Sequence, residues 1–344
     1  MSKVDLKALG IDEIKAFIAQ KGLPQYRARQ LLHWIYGKQA SSIEEITEFS
    51  RPLRQSLAEG VYISNLQVIR SQRSTDGTEK FLLALADGES IETVLMPDID
   101  RATLCISTQV GCAMGCRFCR TGYMGFRRNL MAHEIVDQVI TLRRIGRVVT
   151  NFVMMGMGEP LKNLSAVTDA LWRLTELMGI SPKRVTLSTV GIPEGLRLLS
   201  KGAPPVNLAV SLNAPNNRLR GEIMPISKQY PLEELIETLR RYPLRRGRRI
   251  TFEYVLLRDV NDSLEAAEGL SRLVKGIPSK INLISHNPFE GSPYKPPQEA
   301  QVLRFQQVLI QRGLSVFIRK SRGADIDAAC GQLIYREVSD SEKC

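Results

Sequence analysis

The chain has 344 residues, of which 43% are hydrophobic and 24% charged, a composition typical of a soluble globular protein with one or two domains. No apolar run approaches the ~20 residues of a membrane span, and the N-terminal stretch has no hydrophobic signal segment, so we expect a cytoplasmic protein without a membrane partner. The formal net charge of +11 favours a polyanionic partner, most often nucleic acid.

The basic residues are concentrated in a few runs. The densest is "RRYPLRRGRR", residues 240–249, and shorter clusters lie at Arg127–Arg128 and at residues 319–322. The two shorter clusters flank segments that contain cysteines. We therefore expect positive charge close to any chemistry in those segments.

Residues 1–60 show helical periodicity in "DEIKAFIAQKG", "QYRARQLLHWIYG" and "RPLRQSLAEG", each closed by a glycine. Residues 61–97 are strand-like, and Asp76-Gly77 predicts a hairpin turn. We predict a first domain, residues 1–97, made of a small helical module and a β-hairpin linker. The module mixes basic and aromatic side chains, which suits either RNA contact or an ordinary core with a solvated face; they are Tyr26, Arg27, Arg29, His33 and Trp34.

Residues 98–344, the predicted second domain, alternate strands with helices. The strand candidates are "ATLCIST", "TNFVMMG", "RVTLSTV", "VNLAVSL", "ITFEYVLL", "KINLIS" and "LSVFIRK". Repeated βα units predict an α/β fold with a parallel sheet, and about six units are too few for an eight-fold barrel. We predict a partial (βα)6 TIM-like barrel with its chemistry at the C-terminal ends of the strands.

Three of the six cysteines, Cys112, Cys116 and Cys119, have the spacing C-x3-C-x2-C. In a chain of this type cysteines are more often metal ligands or catalytic groups than a disulfide framework. A structural zinc ion wants four ligands, and Cys105 or His133 could supply the fourth. A [4Fe–4S] cluster held by three thiolates instead leaves one iron open for S-adenosylmethionine, and this spacing is typical of radical SAM enzymes.

Small and polar residues follow several predicted strands. The stretch "MMGMGEP" is typical of a plain β-to-α turn. Alternatively, it is a loop whose glycine lets the backbone approach a ligand closely, and Glu159 could accept a hydrogen bond from a ligand amine. The other strand-end candidates are turn residues by default and possible ligand contacts in a radical SAM enzyme: Ser188, Ser211, Leu212, Asn213 and Asn287. Cys330 lies in a glycine-flanked, basic segment, which predicts a lowered thiol pKa, although a small buried hydrophobe is the alternative. Cys344 we expect to be a bystander.

Nearly the whole chain resembles the radical SAM RNA adenine methyltransferases of the RlmN/Cfr family. The matching stretches are "RARQLLHWIY", "IETVLMP", "RATLCISTQVGCAMGCRFCRTG", "FRRNL", "MGMGEP", "RVTLSTVG", "NPFEGSPY" and "SRGADIDAACGQL". Pro160 is similar to the RlmN branch, since Cfr-type sequences tend to have alanine there. Asn213 departs from the histidine that is common in the family.

The resemblance implies an N-terminal helical module used with RNA and a partial barrel core. The RlmN branch methylates carbon 2 of an adenosine in the peptidyl-transferase centre of 23S rRNA and of the adenosine 3′ of the anticodon in some tRNAs. The Cfr branch methylates carbon 8. Carbon 2 is electron-poor, so a simple methyl displacement onto it is unpromising, and the family's route uses a radical and two molecules of S-adenosylmethionine per turnover.

The resemblance also implies residue roles. Cys112, Cys116 and Cys119 would bind the cluster, and Cys330 would carry the methyl group as S-methylcysteine. Cys105 would resolve the intermediate through a transient disulfide with Cys330, and either Glu92 or Cys105 would remove the ring proton. The implied S-adenosylmethionine contacts are Gly158, Glu159, Ser188, Ser211, Leu212, Asn213 and Asn287.

The implied partners are 23S rRNA, tRNA and a reducing electron donor such as flavodoxin or ferredoxin, and we expect a monomer. Two alternatives stay open from the sequence. One is Cfr-type methylation of carbon 8, and the other is a non-catalytic RNA-binding protein with a structural metal site. The stretch "IETV" supplies Glu92, the proposed proton acceptor.

Overall fold

The structure is a computed structural model that describes residues 3–334. Cys344 and the polar tail lie outside the described residues. The N-terminal module contains the three predicted helices, and α2 continues into one π-helical turn, His33–Gly37. Its elements are β1 (Val4–Asp5), α1 (Ile11–Gln20), α2 (Tyr26–Leu32), α3 (Arg51–Gly60) and β2 (Val61–Tyr62).

A buried polar network fixes this module to the rest of the protein. The Arg173 guanidinium donates to the Lys7 carbonyl (2.6 Å), the Leu9 carbonyl (3.1 Å) and the Tyr36 hydroxyl (2.6 Å). Lys7 in turn donates to the Asp137 carboxylate at 2.7 Å, with side-chain exposures of 0% and 2%. Because buried charges are costly unless paired, this network holds the module in one position.

The main sheet has ten strands in the order β14-β13-β12-β11-β10-β9-β6-β5-β4-β3. Seven neighbouring strands of this sheet are parallel: β6, β9, β10, β11, β12, β13 and β14. The strands β3, β4 and β5 form an antiparallel meander, and β5 pairs antiparallel with β6. The bounds are β3 (Gln67–Arg73), β4 (Glu79–Ala84), β5 (Ser90–Pro97), β6 (Ala102–Cys105), β9 (Asn151–Met154), β10 (Val185–Thr189), β11 (Asn207–Ser211), β12 (Ile250–Leu256), β13 (Ser279–Ser285) and β14 (Val316–Arg319). A separate two-stranded sheet pairs β7 (Gln109–Gly111) with β8 (Phe126–Asn129).

The parallel strands follow one another in chain order, so the sheet has no switch point of the doubly wound kind. Helices connect successive strands, which gives six βα units followed by β14. This arrangement confirms the predicted partial (βα)6 architecture. The helices are α4 (Arg120–Tyr123), α5 (Ala132–Arg144), α6 (Leu164–Trp172), α7 (Pro193–Gly202), α8 (Asn217–Ile223), α9 (Leu232–Arg240), α10 (Leu264–Leu273) and α11 (Glu299–Gln311).

The predicted hairpin is present, and Gly77 adopts a φ of +83° in its turn. Its strands do more than link two units, because β5 pairs directly with β6 of the barrel. The predicted boundary at residues 97/98 thus falls between neighbouring strands of one sheet, and the two-domain division stays a prediction.

The arginine run at residues 240–249 lies at the edge of the sheet opposite to the C-terminal strand ends, so it does not border a site at those ends. It precedes β12, where Arg248 donates to Asn207 at the start of β11 and Arg249 donates to Ser315 just before β14. These are the N-terminal ends of the parallel strands. Within residues 3–334 no helix is both long and apolar enough to span a bilayer.

Candidate active site

The strand register places the predicted site residues on one face of the sheet. Val94 lies opposite Cys105, and Ser211 lies opposite Glu253. Because side chains alternate across a strand, residues two apart share a face. Following the register across the strands gives the set on this face, which we call the concave face: Glu92, Cys105, Ser188, Ser211 and Glu253.

The three-cysteine loop follows β7 at the C-terminal edge of the barrel. The Cys119 amide donates to the Cys116 carbonyl at 3.1 Å, and the Gly122 amide donates to the Cys119 carbonyl at 3.0 Å. A Cβ at Gly122 would lie 2.9 Å from the Cys116 carbonyl oxygen, so only glycine allows this tight turn. Burial raises the pKa of Cys112 to about 12 and raises the pKa of Cys116 and of Cys119. Binding iron must therefore displace thiol protons.

A buried arginine, Arg220 on α8, lies beside this loop and is 1% exposed. Its guanidinium donates to the carbonyls of Leu212 (3.1 Å), Ser211 (3.3 Å) and Val190 (2.5 Å). Among the described residues no carboxylate forms an ion pair with it. Burial lowers the pKa of Arg220 to about 10, while the charge of Cys116 opposes that shift. A buried cation next to three thiols suits a group that brings negative charge, as an iron–sulfur cluster on three thiolates does.

The candidate fourth ligands of a zinc ion do not complete such a site. His133 lies 3.7 Å from Asp5 of the N-terminal module. Within residues 3–334 no three His, Cys, Asp or Glu side chains converge closely enough to hold a single metal ion. In a [4Fe–4S] cluster each thiolate binds a different iron atom, so the three thiolates need not converge on one point. The three-cysteine loop thus fits a [4Fe–4S] cluster.

Gly158 and Glu159 form a tight turn after β9. Gly158 has a φ of +102°, and a Cβ there would lie 2.6 Å from the Cβ of Gln109. The Glu159 carboxylate already accepts from the Thr189 hydroxyl (2.6 Å), the Val190 amide (2.8 Å) and the Leu161 amide (3.0 Å). These hydrogen bonds connect the segments that follow β9 and β10. The contact of Glu159 with a ligand amine stays a prediction.

The remaining predicted S-adenosylmethionine contacts differ in the exposure of their side chains and in the hydrogen bonds that these side chains already make within the protein. Ser188 and Ser211 are half-buried on the concave face, whereas Leu212 is 0% exposed. Asn213 has a φ of +58°, and its side-chain oxygen accepts from the Val255 amide at 2.8 Å. Its side chain is thus already hydrogen-bonded within the protein. Asn287 donates to the Cys330 carbonyl at 3.0 Å, so it holds the segment around Cys330.

Cys330 is exposed at the open end of the barrel, although protein surrounds its thiol on most sides. This crowding raises the pKa of the Cys330 thiol to about 12, and the charges of Cys105, Cys119 and Glu253 add to the rise. The predicted lowering of this pKa was wrong, because burial of the thiol dominates and its charged neighbours are Cys105, Cys119 and Glu253 rather than the basic residues of its own segment. The segment that carries Cys330 packs on the cluster loop, since the Arg120 amide donates to the Gly331 carbonyl at 2.7 Å and the Thr121 hydroxyl donates to the Leu333 carbonyl at 2.7 Å.

The β3–β4 turn anchors the Cys330 segment. The Gly323 amide donates to Asp76 at 3.0 Å, and the Ser74 hydroxyl and the Thr75 amide donate to Asp325 at 2.5 and 3.1 Å. Partial burial alone would raise the pKa of Asp76, but these and neighbouring hydrogen bonds lower it to about 2. The carboxyl is therefore ionised, and the anchor intact, down to strongly acidic pH.

We expect Asp76→Ala to loosen the Cys330 segment without unfolding the barrel. The variant loses a charge-assisted hydrogen bond worth about 1.5–3 kcal/mol, less the discount for its partial exposure. Limited proteolysis followed by peptide mass spectrometry should then show faster cleavage within residues 320–334. Asp87→Ala, which removes a carboxylate from the next turn of the same meander, is the control. Equal cleavage of both variants would contradict the anchoring role.

Glu92 and Cys105 are both buried on the concave face. The Glu92 carboxylate forms an ion pair with Lys80 at 3.0 Å and accepts from the Ile334 amide at 2.8 Å. It borders a cavity of about 230 Å³. Burial raises the pKa of Cys105 to about 12. All five described cysteines are free thiols, so the structure contains no Cys105–Cys330 disulfide.

Sequence reasoning missed three charged residues of the site: Lys80, Arg220 and Glu253. Glu253 interrupts the apolar strand "ITFEYVLL", a signal that could have drawn attention to it. Burial raises the pKa of Glu253, and Asn282 donates to it at 2.9 Å. Arg220 gave no such signal, because "NRLRGEI" reads as an ordinary polar helix.

Comparison with known proteins identifies two family regions. Residues 106–268 match the model of the radical SAM superfamily. Residues 4–63 match the model described as the ribosomal RNA large subunit methyltransferase N-terminal domain. The first region contains the cysteine loop and the strands β9 to β12 of the barrel, and the second contains the N-terminal module.

Relatives match over nearly the full length. The dual-specificity RNA methyltransferase RlmN of Syntrophobacter fumaroxidans is 46% identical, covering 97% of this chain and 99% of that protein. The protein of the same name from Geotalea uraniireducens is 47% identical, covering 97% of each chain. A crystal structure of a radical SAM methyltransferase from Sphaerobacter thermophilus superposes with a TM-score of 0.90 at 44% identity, covering 96% of this chain and 99% of that one. These matches favour the RlmN branch over the Cfr branch and over a non-catalytic protein, and the chain belongs to the RlmN family of radical SAM RNA methyltransferases.

Proposed function

We propose that this enzyme methylates carbon 2 of an adenosine in the peptidyl-transferase centre of 23S rRNA and of the adenosine 3′ of the anticodon in tRNAs. The observation that carries the proposal is the packing of the exposed Cys330 segment on the cluster loop, where the Arg120 amide donates to the Gly331 carbonyl at 2.7 Å. An exposed thiol there can reach a base that is splayed out of its stack, and a loop nucleotide is the easiest to splay.

The protein's own residues divide the work. Cys112, Cys116 and Cys119 hold the cluster, and Gly158, Glu159, Ser188, Ser211, Leu212, Asn213 and Asn287 hold S-adenosylmethionine, which is used twice per turnover. When bound, the cluster and S-adenosylmethionine supply a 5′-deoxyadenosyl radical. Cys330 carries the methyl group that reaches the base. Glu92 or Cys105 removes the proton from the ring.

Cys105 then attacks the Cys330 sulfur, which breaks the bond between that sulfur and the transferred carbon, releases the methylated RNA and leaves a transient disulfide. That disulfide must be reduced before the next turnover, and the cytoplasm supplies the reducing conditions. A small electron-transfer protein such as flavodoxin or ferredoxin supplies the electron for the cluster. The enzyme acts as a monomer.

RNA contact by the N-terminal module has support in its surface. Tyr26 and Arg29 are exposed on α2, and His33 extends the same exposed side. Arg27 stacks on the Tyr26 ring at 5.1 Å, which leaves an aromatic and basic surface. Arg and aromatic rings are suited to stacking on unpaired bases.

The test is nucleoside mass spectrometry. The protein is purified anaerobically with its cluster reconstituted and is given deuteromethyl-S-adenosylmethionine, a reductant and an unmodified 23S rRNA fragment or tRNA. We expect labelled 2-methyladenosine from the wild type and none from Cys330→Ala. The expected loss is complete, because no other described exposed thiol can carry the methyl group.

Three results would change the conclusion. Labelled 8-methyladenosine would assign carbon 8 and overturn the proposed position on the base. Labelled 2-methyladenosine from Cys330→Ala would overturn the carrier role. Cleavage of S-adenosylmethionine without any labelled nucleoside would mean that the substrate is a different molecule.

A further inference from the structure

A second cleft lies on the outer side of the cluster loop, away from the concave face. Its volume is about 580 Å³, within the range of about 300–1,000 Å³ that is usual for ligand sites. It is bordered by Arg117 of the cysteine loop, by α8 and by the short segment that follows α8. None of the residues assigned above to cluster, S-adenosylmethionine or methyl transfer lines it.

The charge of the cleft is positive. Arg117, Arg218 and Lys228 line it, and Glu222 is the one acidic lining residue. Arg218 lies 3.7 Å from Glu222, with side-chain exposures of 85% and 55%, so this contact is a weak surface pair. Among the described residues Lys228 forms no ion pair, whereas Arg117 has the Tyr294 hydroxyl as a hydrogen-bond partner. Lys228 and the exposed Arg218 are therefore the two cationic groups that can face an anion.

A buried hydroxyl gives the cleft a polar floor. Ser227 is 6% exposed and lines the cleft, and within the described part of the chain its Oγ has no hydrogen-bond partner. A buried hydroxyl without a partner costs free energy that a ligand oxygen would recover. Arginine, lysine and serine side chains together are the groups that bind phosphate oxygens.

The position of the cleft fits an RNA strand that leads into the barrel. Helix α8 follows β11 at the C-terminal strand edge, the edge where Cys330 is exposed. Arg117 lies between Cys116 and Cys119, and its amide donates to the Ile223 carbonyl of α8 at 2.9 Å. A phosphate in the cleft would thus lie just outside the loop that forms one wall of the site.

We propose that this cleft binds a phosphodiester of the substrate RNA next to the nucleotide that enters the barrel; the inference rests on the proposed function. A base that leaves its stack gives up favourable contacts, and holding the adjacent backbone offsets part of that cost. The arginine run at residues 240–249 is the competing candidate, but it lies at the opposite edge of the sheet.

The test measures RNA affinity against salt concentration by fluorescence anisotropy, with a labelled 23S rRNA fragment and the cluster-loaded enzyme. Each phosphate contact contributes about one unit to the slope of log Kd against log salt. We expect Arg218→Gln/Lys228→Gln to lower that slope by about two and to weaken binding about tenfold at low salt. The matched control, Arg245→Gln/Arg246→Gln, removes the same charge at the opposite edge and should change the slope by less than about half a unit.

The variant Ser227→Ala distinguishes an effect on RNA affinity from an effect on the stability of the fold. Removing a hydroxyl without a partner should not lower the melting temperature, yet RNA affinity should fall about threefold to tenfold if the hydroxyl meets a phosphate. Equal slopes for the wild type and the cleft variant, or an equal loss in the control, would overturn the inference. If the wild type itself neither binds nor methylates the RNA, the proposed function fails instead, whatever the cleft variants do.

Discussion

Lys80→Met should cost about 3–5 kcal/mol of unfolding free energy and about 100-fold in methylation rate. Lys80 and Glu92 are each 7% exposed and lie 3.0 Å apart, so removing the cation leaves the Glu92 carboxylate buried without its ion-pair partner Lys80. A displaced Glu92 would also leave the position from which we propose that it removes the ring proton. Chemical denaturation gives the stability, and nucleoside mass spectrometry gives the rate.

The double variant Lys80→Met/Glu92→Gln decides whether Glu92 is catalytic or only structural. Replacing both members of a buried ion pair is often nearly neutral for stability, so we expect the double variant to recover to within about 1 kcal/mol of the wild type. Methylation should stay about 100-fold or more below the wild type, the usual contribution of a general base. A double variant that is stable and fully active would exclude Glu92 as the proton acceptor.

An exposed pair on the same strand provides the matched control. Arg147 lies 2.8 Å from Glu79, the neighbour of Lys80 in sequence, with side-chain exposures of 42% and 16%. Arg147→Met also removes one cation from an ion pair of β4. Because solvent screens this pair, we expect a cost of about 0–1 kcal/mol and an unchanged rate.

The architecture could be predicted because its signals are local. Alternating apolar runs and capped helices give the βα order, and that order alone places the loops after Cys105, Met154 and Ser211 at one edge. Which side chains share the concave face depends on register, which each strand's periodicity does not fix. The family resemblance supplied the candidates, and the register brought Glu92, Cys105, Ser188 and Ser211 together.

The anchors that hold the segments around the site could not be predicted, because their partners are distant in sequence. Asp76 and Gly323 are 247 positions apart, and Arg173 meets the Lys7 carbonyl 166 positions away. The arginine run 240–249 illustrates the same limit, because a run of charge predicts a polyanionic partner but not the edge of the sheet on which it lies. The pKa of Cys330 was mispredicted because the burial of its thiol, which dominates the shift, is not visible in the local sequence.

Arg220→Met should lower the stability of the cluster-loaded protein by about 3 kcal/mol and reduce iron retention severalfold. Arg220 is the buried cation that joins the loops after β10 and β11 through three carbonyl oxygens. With a pKa of about 10 it stays charged at neutral pH, and in the loaded protein that charge faces the anionic thiolates. Methionine fills a similar volume but leaves three carbonyls without a donor and the thiolates without a cation.

The measurement is the iron content per chain after gel filtration, together with the melting temperatures of loaded and iron-free protein. Loading should raise the melting temperature of the wild type more than that of Arg220→Met, since only the wild type gains the attraction between cation and cluster. Arg218→Met is the matched control, because it lies two residues away on the same helix and its side chain is 85% exposed. If both variants retain iron as the wild type does, the buried charge of Arg220 serves the backbone of the loops alone and contributes nothing to holding the cluster.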